Sequence, residues 1–169
     1  ISRRLVQAMG GEIGVNSVAG AGSCFHFTLP LTPAAPGDGS EAQAPAEIAG
    51  RHALIVDDHA THRRILEGTL QQAGLDATAI DSPAGAVAAL HEAAGRDQPF
   101  DVVLLDAGMP DCFELARRIQ QLTDLPHPAL ILLSAVAVKG DAARCRETGI
   151  DSYLTRPVTQ DEIRQTLSR

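Results

Sequence analysis

ALIVDD (53–58), DVVLLD (101–106), ALILLS (129–134) and SYLT (152–155) set the fold. Each is a short, apolar, β-branched- or leucine-rich run, and a weaker one, DATAI, lies at 76–80. Runs of this length flanked by turn residues read as strands. Between them the apolar residues recur at helical spacing, predicting helices over 60–73, 83–94, 112–122, 140–148 and 159–168. Gly74 and Gly149 stand where the first and fourth of these should stop. Five strand–helix units with nearly all-apolar strands predict an α/β fold, a parallel sheet covered by helices on both faces. Ligands of such sheets bind at the carboxyl ends of the strands.

The residues at those ends are chemically uneven. The first run ends in Asp57-Asp58, the third in Asp106, the fourth in Ser134 and the fifth in Thr155-Arg156-Pro157. Any one acid there reads equally well as a helix cap or a solvated residue. All of them at the correct ends place three carboxylates, a hydroxyl and a guanidinium on one rim. Carboxylates that close repel one another unless a cation lies between them. An oxygen-only donor set selects Mg²⁺ over softer metals. A metal, a carboxylate nucleophile, a hydroxyl donor and a fixed cation suit phosphoryl transfer onto a carboxylate.

Working outward, residues 32–50 read TPAAPGDGSEAQAPAEIAG, with three Pro, three Gly, six Ala and one large apolar residue, Ile48. This composition predicts a flexible linker over 32–50. Before it, residues 1–31 predict a helix carrying Ile1, Leu5, Val6 and Met9, then strands at 12–16 and 23–29 around the turn Ala19-Gly20-Ala21-Gly22. Phe25, Phe27 and Leu29 alternate with polar residues, so one face of the second strand is expected to be buried. A helix and a hairpin cannot form a core alone, so this piece calls for a partner. The chain has 169 residues, 14 Lys+Arg against 21 Asp+Glu, net charge -7 and 3% aromatics. That balance argues against direct nucleic-acid binding and against an anionic membrane surface. No apolar run in this fragment approaches the length of a membrane span. Cys24, Cys112 and Cys145 are odd in number and widely spaced, so a disulfide framework is not expected and a cytoplasmic location is.

In combination, LIVDDHATHRRIL, FDVVLLDAGMPD, LILLSA and GDAARCRETGIDSYLTRPV make residues 51–169 resemble a response-regulator receiver domain. The likeness is nearest to receivers attached to hybrid sensor histidine kinases. It implies a flavodoxin-like five-stranded sheet of order 2-1-3-4-5. It implies Asp106 as phosphoacceptor, taking a phosphoryl group from phosphohistidine. Mg²⁺ would be held by Asp57, Asp58, Asp106 and the Gly108 carbonyl. Ser134 and Arg156 would meet the phosphoryl oxygens, and Ser134 with Tyr153 would form the switch; Tyr153 reads equally as a half-buried strand aromatic. Residues 1–31 look like the C-terminal end of a histidine-kinase ATP-binding domain of the GHKL type, with Gly20 and Gly22 as its last glycine box. The earlier nucleotide boxes and the phosphoaccepting-histidine motif do not appear, so this fragment is not expected to bind ATP or to act as a kinase alone. The implied partners are the kinase core of the parent chain and a histidine phosphotransfer domain, and the parent is expected in the cytoplasm or anchored at an inner membrane.

Two departures open alternatives. The family has Lys where this chain has Arg156, and guanidinium is larger and fork-shaped. The loop after Asp106 is about two residues short, so Asp111-Cys112-Phe113 runs straight into ELARRI. These changes admit a degenerate receiver that signals by docking without phosphorylation. A Mg²⁺-dependent aspartyl-phosphate phosphatase is the remoter alternative, since Ala107 and Gly108 follow Asp106 where those enzymes place a second acid. The bond before Pro157 is a candidate for the cis form. His59 and His62 are three apart on one helix and read as solvated rather than as a metal pair. Arg63-Arg64 and Arg117-Arg118 read as solvated faces, and Cys112 as a packed thiol.

Overall fold

The computed structural model describes residues 1–32, 48–135 and 141–168, the backbone only at 141–143. The greater part of the segment expected to be a linker therefore lies outside the described residues. The chain divides into two compact units.

The first unit holds α1 (Ser2–Ala8), β1 (Glu12–Val18) and β2 (Gly22–Thr28). β1 and β2 pair antiparallel, Glu12 opposite Thr28 and Val18 opposite Gly22. The turn between them needs positive φ at Gly20 and Gly22 (80° and 102°), which glycine adopts without a Cβ clash. The expected buried face of β2 is exposed, with Phe25 at 74% and Phe27 at 61% of full exposure. The physical reason is the small size of the unit: a helix and two strands supply no second layer to cover both sheet faces.

The second unit alternates strictly: β3 (His52–Val56), α2 (Ala60–Ala73), β4 (Asp76–Ile80), α3 (Pro83–Gly95), β5 (Val102–Asp106), α4 (Cys112–Gln120), β6 (Ala129–Ser134), α5 (Asp141–Thr148), β7 (Ser152–Thr155) and α6 (Gln160–Leu167). The strands pair parallel in the order β4-β3-β5-β6-β7. Counted along this unit, that is 2-1-3-4-5, the flavodoxin-like arrangement. Side chains alternate across each strand, so the sheet feeds two cores. Leu54, Val56, Val103, Leu105, Leu130 and Leu132 pack with α3 and α4 on one face. Ala53, Ile55, Val102, Leu104, Ile131 and Leu133 pack with α2 and α6 on the other. Truncating a central leucine such as Leu104 to Ala would cost ~2–5 kcal/mol. Ile48 is also fully buried, so the second unit draws on an apolar residue that composition had grouped with the linker.

Local sequence explains the helix ends. Ser82 caps α3 through the Gly85 N–H, with Pro83 at its first position. Gly74 ends α2 in the left-handed region. Thr159 and Glu162 form a reciprocal capping box on α6. The Glu162 carboxylate accepts from the Thr159 N–H and from the Thr159 hydroxyl, and these two bonds, the backbone one foremost, hold it below its ordinary range.

Candidate functional site at the carboxyl rim of the sheet

The parallel ladder continues one residue past three strands. The Asp57 N–H donates to Ile80 O (3.1 Å), Ala107 N–H to Leu133 O (2.8 Å) and Arg156 N–H to Ser134 O (2.8 Å). Residues just beyond the strand ends are thereby held by main-chain bonds, not by loop packing. Asp57 is fully buried, Asp106 and Ser134 are buried, and Asp58 is exposed. Asp57, Asp58 and Asp106 each present a carboxylate oxygen, all within 4.8 Å of one another. Hard oxygen donors at this spacing fit a hard divalent cation.

The Arg156 guanidinium reaches into the same group. Its Nη2 lies 2.6 Å from Asp57 Oδ2 and 3.0 Å from Asp106 Oδ1. Its Nη1 lies 2.9 Å from His62 Nδ1, and His62 Nδ1 is itself 3.3 Å from Asp57 Oδ2. The other Asp57 oxygen accepts the His59 N–H (2.7 Å), and the Asp57 main-chain carbonyl accepts from Arg63 Nη1 (2.7 Å). Asp57 is thus bonded on three sides, as a buried carboxylate must be. The Arg156–Pro157 bond is cis.

The short loop after Asp106 closes through backbone geometry. Met109 N–H donates to Asp106 O (3.3 Å), Cys112 N–H to Met109 O (3.4 Å), and Met109 is buried. Asp111 takes up the missing length in the left-handed region, φ 62°, and starts α4 without a side-chain cap. Gly108 lies against the acid: a Cβ there would stand 3.2 Å from Asp106 Oδ2. Cys112 packs beneath the loop, its thiol pushed up to about 11 chiefly by burial, so it stays neutral near pH 7. Tyr153 lies on the edge strand β7 and is 47% exposed.

Residues 53–168 match the family model described as the response regulator receiver domain. The chain belongs to that family. Over 182 aligned residues the receiver chain is 34% identical to the virulence sensor protein BvgS of Bordetella bronchiseptica, covering 99% of this chain and 14% of that protein. It is 34% identical to the sensor histidine kinase AruS of Pseudomonas aeruginosa, over 99% of this chain and 16% of that protein. The chain therefore spans less than a fifth of the length of these relatives. Among solved structures, it is similar to the receiver domain of sensor histidine kinase PA1611 from Pseudomonas aeruginosa, described with magnesium coordinated in its active-site cleft. That likeness has a TM-score of 0.61 and 27% identity, covering 72% of this chain and 97% of that one.

Asp57, Asp58, Asp106 and Arg156 of the receiver come together at one rim, with buried Ser134 on the neighbouring strand end and Gly108 in the adjoining loop. Tyr153 stands on the outer strand, and Gly20 and Gly22 belong to the other unit. Two residues were misread from sequence. Arg63 is not a merely solvated cation but holds the Asp57 carbonyl. His62 is not a free surface residue but joins Asp57 and Arg156, with its ring stacked on His59 at 4.3 Å. The available signal was helical phase: positions three and four after His59 fall on the first turn of α2, which starts beside the rim. Among the described residues no helix is long and apolar enough to cross a membrane.

Proposed function

We propose that this chain is the phosphoacceptor receiver of a hybrid two-component sensor histidine kinase. A phosphoryl group passes from a phosphohistidine in a donor protein to Asp106. An Asp106 carboxylate oxygen forms the new bond to phosphorus as the phosphorus–nitrogen bond to the histidine breaks. The histidine nitrogen keeps that bond's electron pair and regains a proton. The observation carrying this reading is the convergence of Asp57, Asp58 and Asp106 within 4.8 Å on one rim. Asp57, Asp58, Asp106 and the Gly108 carbonyl are the residues to hold Mg²⁺, which supplies charge neutralisation of the transferring group. The Ser134 hydroxyl donates to a phosphoryl oxygen, and Arg156 offers a fork that can do the same. Transfer replaces the single charge of the Asp106 carboxylate with an acyl phosphate carrying about two, a net gain of about one negative charge beside β6 and β7; Ser134 and Tyr153 would convey that change to a partner, here a histidine phosphotransfer domain or the parent's kinase core.

The matches to BvgS and AruS run over both units, which supports reading residues 1–31 as the end of a kinase ATP-binding domain, joined through a linker to the receiver at 51–169. The apolar residues exposed on the first unit agree with a surface made to be covered by the rest of such a domain.

The test is intact mass after incubation with Mg²⁺ and a small acyl phosphate. The expected result is one added phosphoryl group in the wild-type chain and none in Asp106→Asn. Labelling that persists in the variant would move the acceptor elsewhere. A second reading, docking without phosphorylation, is favoured by Arg156 Nη2 lying on both Asp57 and Asp106, and absence of labelling in the wild type would favour it.

A further inference from the structure

The residues that follow the rim strands differ in bulk. After β3 come Asp57, Asp58 and His59; after β5, Ala107 and Gly108; after β6, Ala135; after β7, Arg156 and Pro157. Ala135 is exposed and carries one methyl, and Gly108 carries no side chain beside Asp106 Oδ2. Among these residues His59 is the one aromatic ring.

Two contacts fix where that ring stands. The His59 N–H donates to Asp57 Oδ1 at 2.7 Å, which ties its backbone to the acids. Its imidazole stacks on that of His62, with centroids 4.3 Å apart and planes 25° from parallel. His62 is in turn tied down through Nδ1, which meets Arg156 Nη1 at 2.9 Å. His59 is nonetheless exposed. The rim thus presents to solvent an aromatic ring that is backed by a second one.

The donor in the proposed reaction leaves as an imidazole. In an in-line transfer its nitrogen lies on the far side of phosphorus from Asp106, with the reacting atoms about 3 Å apart. The leaving ring then stands close to the residues just beyond the strand ends. It meets nothing larger than a methyl at Gly108 and Ala135, and at His59 it meets a partner for offset stacking. An acyl phosphate offers no ring and gains nothing from that side chain.

We infer that His59, backed by His62, is the binding residue for the donor's phosphohistidine ring, and that it sets a preference for imidazole as leaving group. This rests on the reading of Asp106 as phosphoacceptor. As the oxygen–phosphorus bond to Asp106 forms, the phosphorus–nitrogen bond breaks. The imidazole keeps that electron pair and takes a proton from water while stacked on His59.

The test compares small donors with Mg²⁺ on the full 169-residue chain, read as the rate of phosphoryl gain by intact mass. Phosphoimidazole carries the ring, phosphoramidate has a phosphorus–nitrogen bond without it, and acetyl phosphate has neither. His59→Ala should lower the phosphoimidazole rate relative to acetyl phosphate by about threefold to tenfold, the size of one aromatic pair. The phosphoramidate rate relative to acetyl phosphate should not move. His59→Phe, which keeps a ring, should hold the wild-type ratios. His59→Gln, polar but without a ring, should behave as His59→Ala and carries the test if the alanine variant fails to fold. A phosphoimidazole ratio that does not move, or a phosphoramidate ratio that falls as far, overturns the inference and leaves Asp106 as the acceptor. No labelling of the wild type by any donor overturns the inference and that reading together.

Discussion

At the amino ends of the strands, Asp101 accepts the His52 N–H (2.7 Å) and Asp151 accepts the Leu130 N–H (2.8 Å). Each of these acids precedes a strand and ties down the first free amide of the strand beside it. At the carboxyl ends, Asp57 and Asp106 instead share one nitrogen of Arg156, Nη2, with Asp58 close by. The residue type is the same at both ends of one sheet. The difference lies in what the parallel ladder leaves unpaired and in how much water each end retains. The first end offers single N–H groups near solvent, which one exposed carboxylate can satisfy. The second gathers several chain ends into a concave rim, where acids are buried together and their repulsion must be balanced. Carboxylates that close backbone contribute stability; carboxylates that face one another store charge a cation can use.

Substitutions at the two ends should therefore separate cleanly. The largest expected effect is at the carboxyl rim. Asp57→Ala should weaken Mg²⁺ binding by about tenfold or more while the cooperative unfolding transition survives, as followed by calorimetry and circular dichroism. Unchanged Mg²⁺ affinity would erase the distinction between the ends. At the amino end, Asp151→Ala should lower unfolding free energy by about 1 kcal/mol in urea titration and leave Mg²⁺ affinity within about twofold of wild type. A large loss of Mg²⁺ binding there would show that the two ends are coupled.

The smallest effect is expected at the α6 cap formed by Thr159 and Glu162. The folded state holds the Glu162 carboxyl below its ordinary value of 4.5. Its contribution is therefore present above that value and disappears as pH falls through the lower folded one. Glu162→Gln should melt slightly below the wild type near pH 7, and the two curves should converge in acid. A gap that persists in acid would assign the cap's effect to shape rather than charge.

Much of this was legible in the residues alone. The strand runs 76–80, 129–134 and 152–155 and the helix 60–73 fall where apolar spacing places them. All-apolar strands are the direct consequence of a sheet buried on both faces, so their pattern survives without knowledge of contacts. The acids and Ser134 were found because strand ends are positions that periodicity defines. Other features were not legible for equally physical reasons. Ile48 lies in a stretch too rich in Ala, Gly and Pro to announce a core residue, yet one large side chain can fill a site at the edge of a packed layer. The face of β2 was expected to be buried because alternation marks which side is apolar, not whether anything covers it. Arg63 and His62 looked like helix surface, since helical phase does not say which neighbour a side chain meets.

The sequence by itself determined the alternation of elements, the parallel sheet, the family, and the set of groups at the strand ends. These follow from local pattern, which is written residue by residue. Only the tertiary structure decided that Arg156 Nη2 lies on both Asp57 and Asp106, that its Nη1 meets His62, and that Asp111 adopts left-handed backbone to close the short loop. Those are distances between residues up to 99 positions apart. They depend on how the sheet orders its strands and how far each side chain reaches, and no local pattern encodes either.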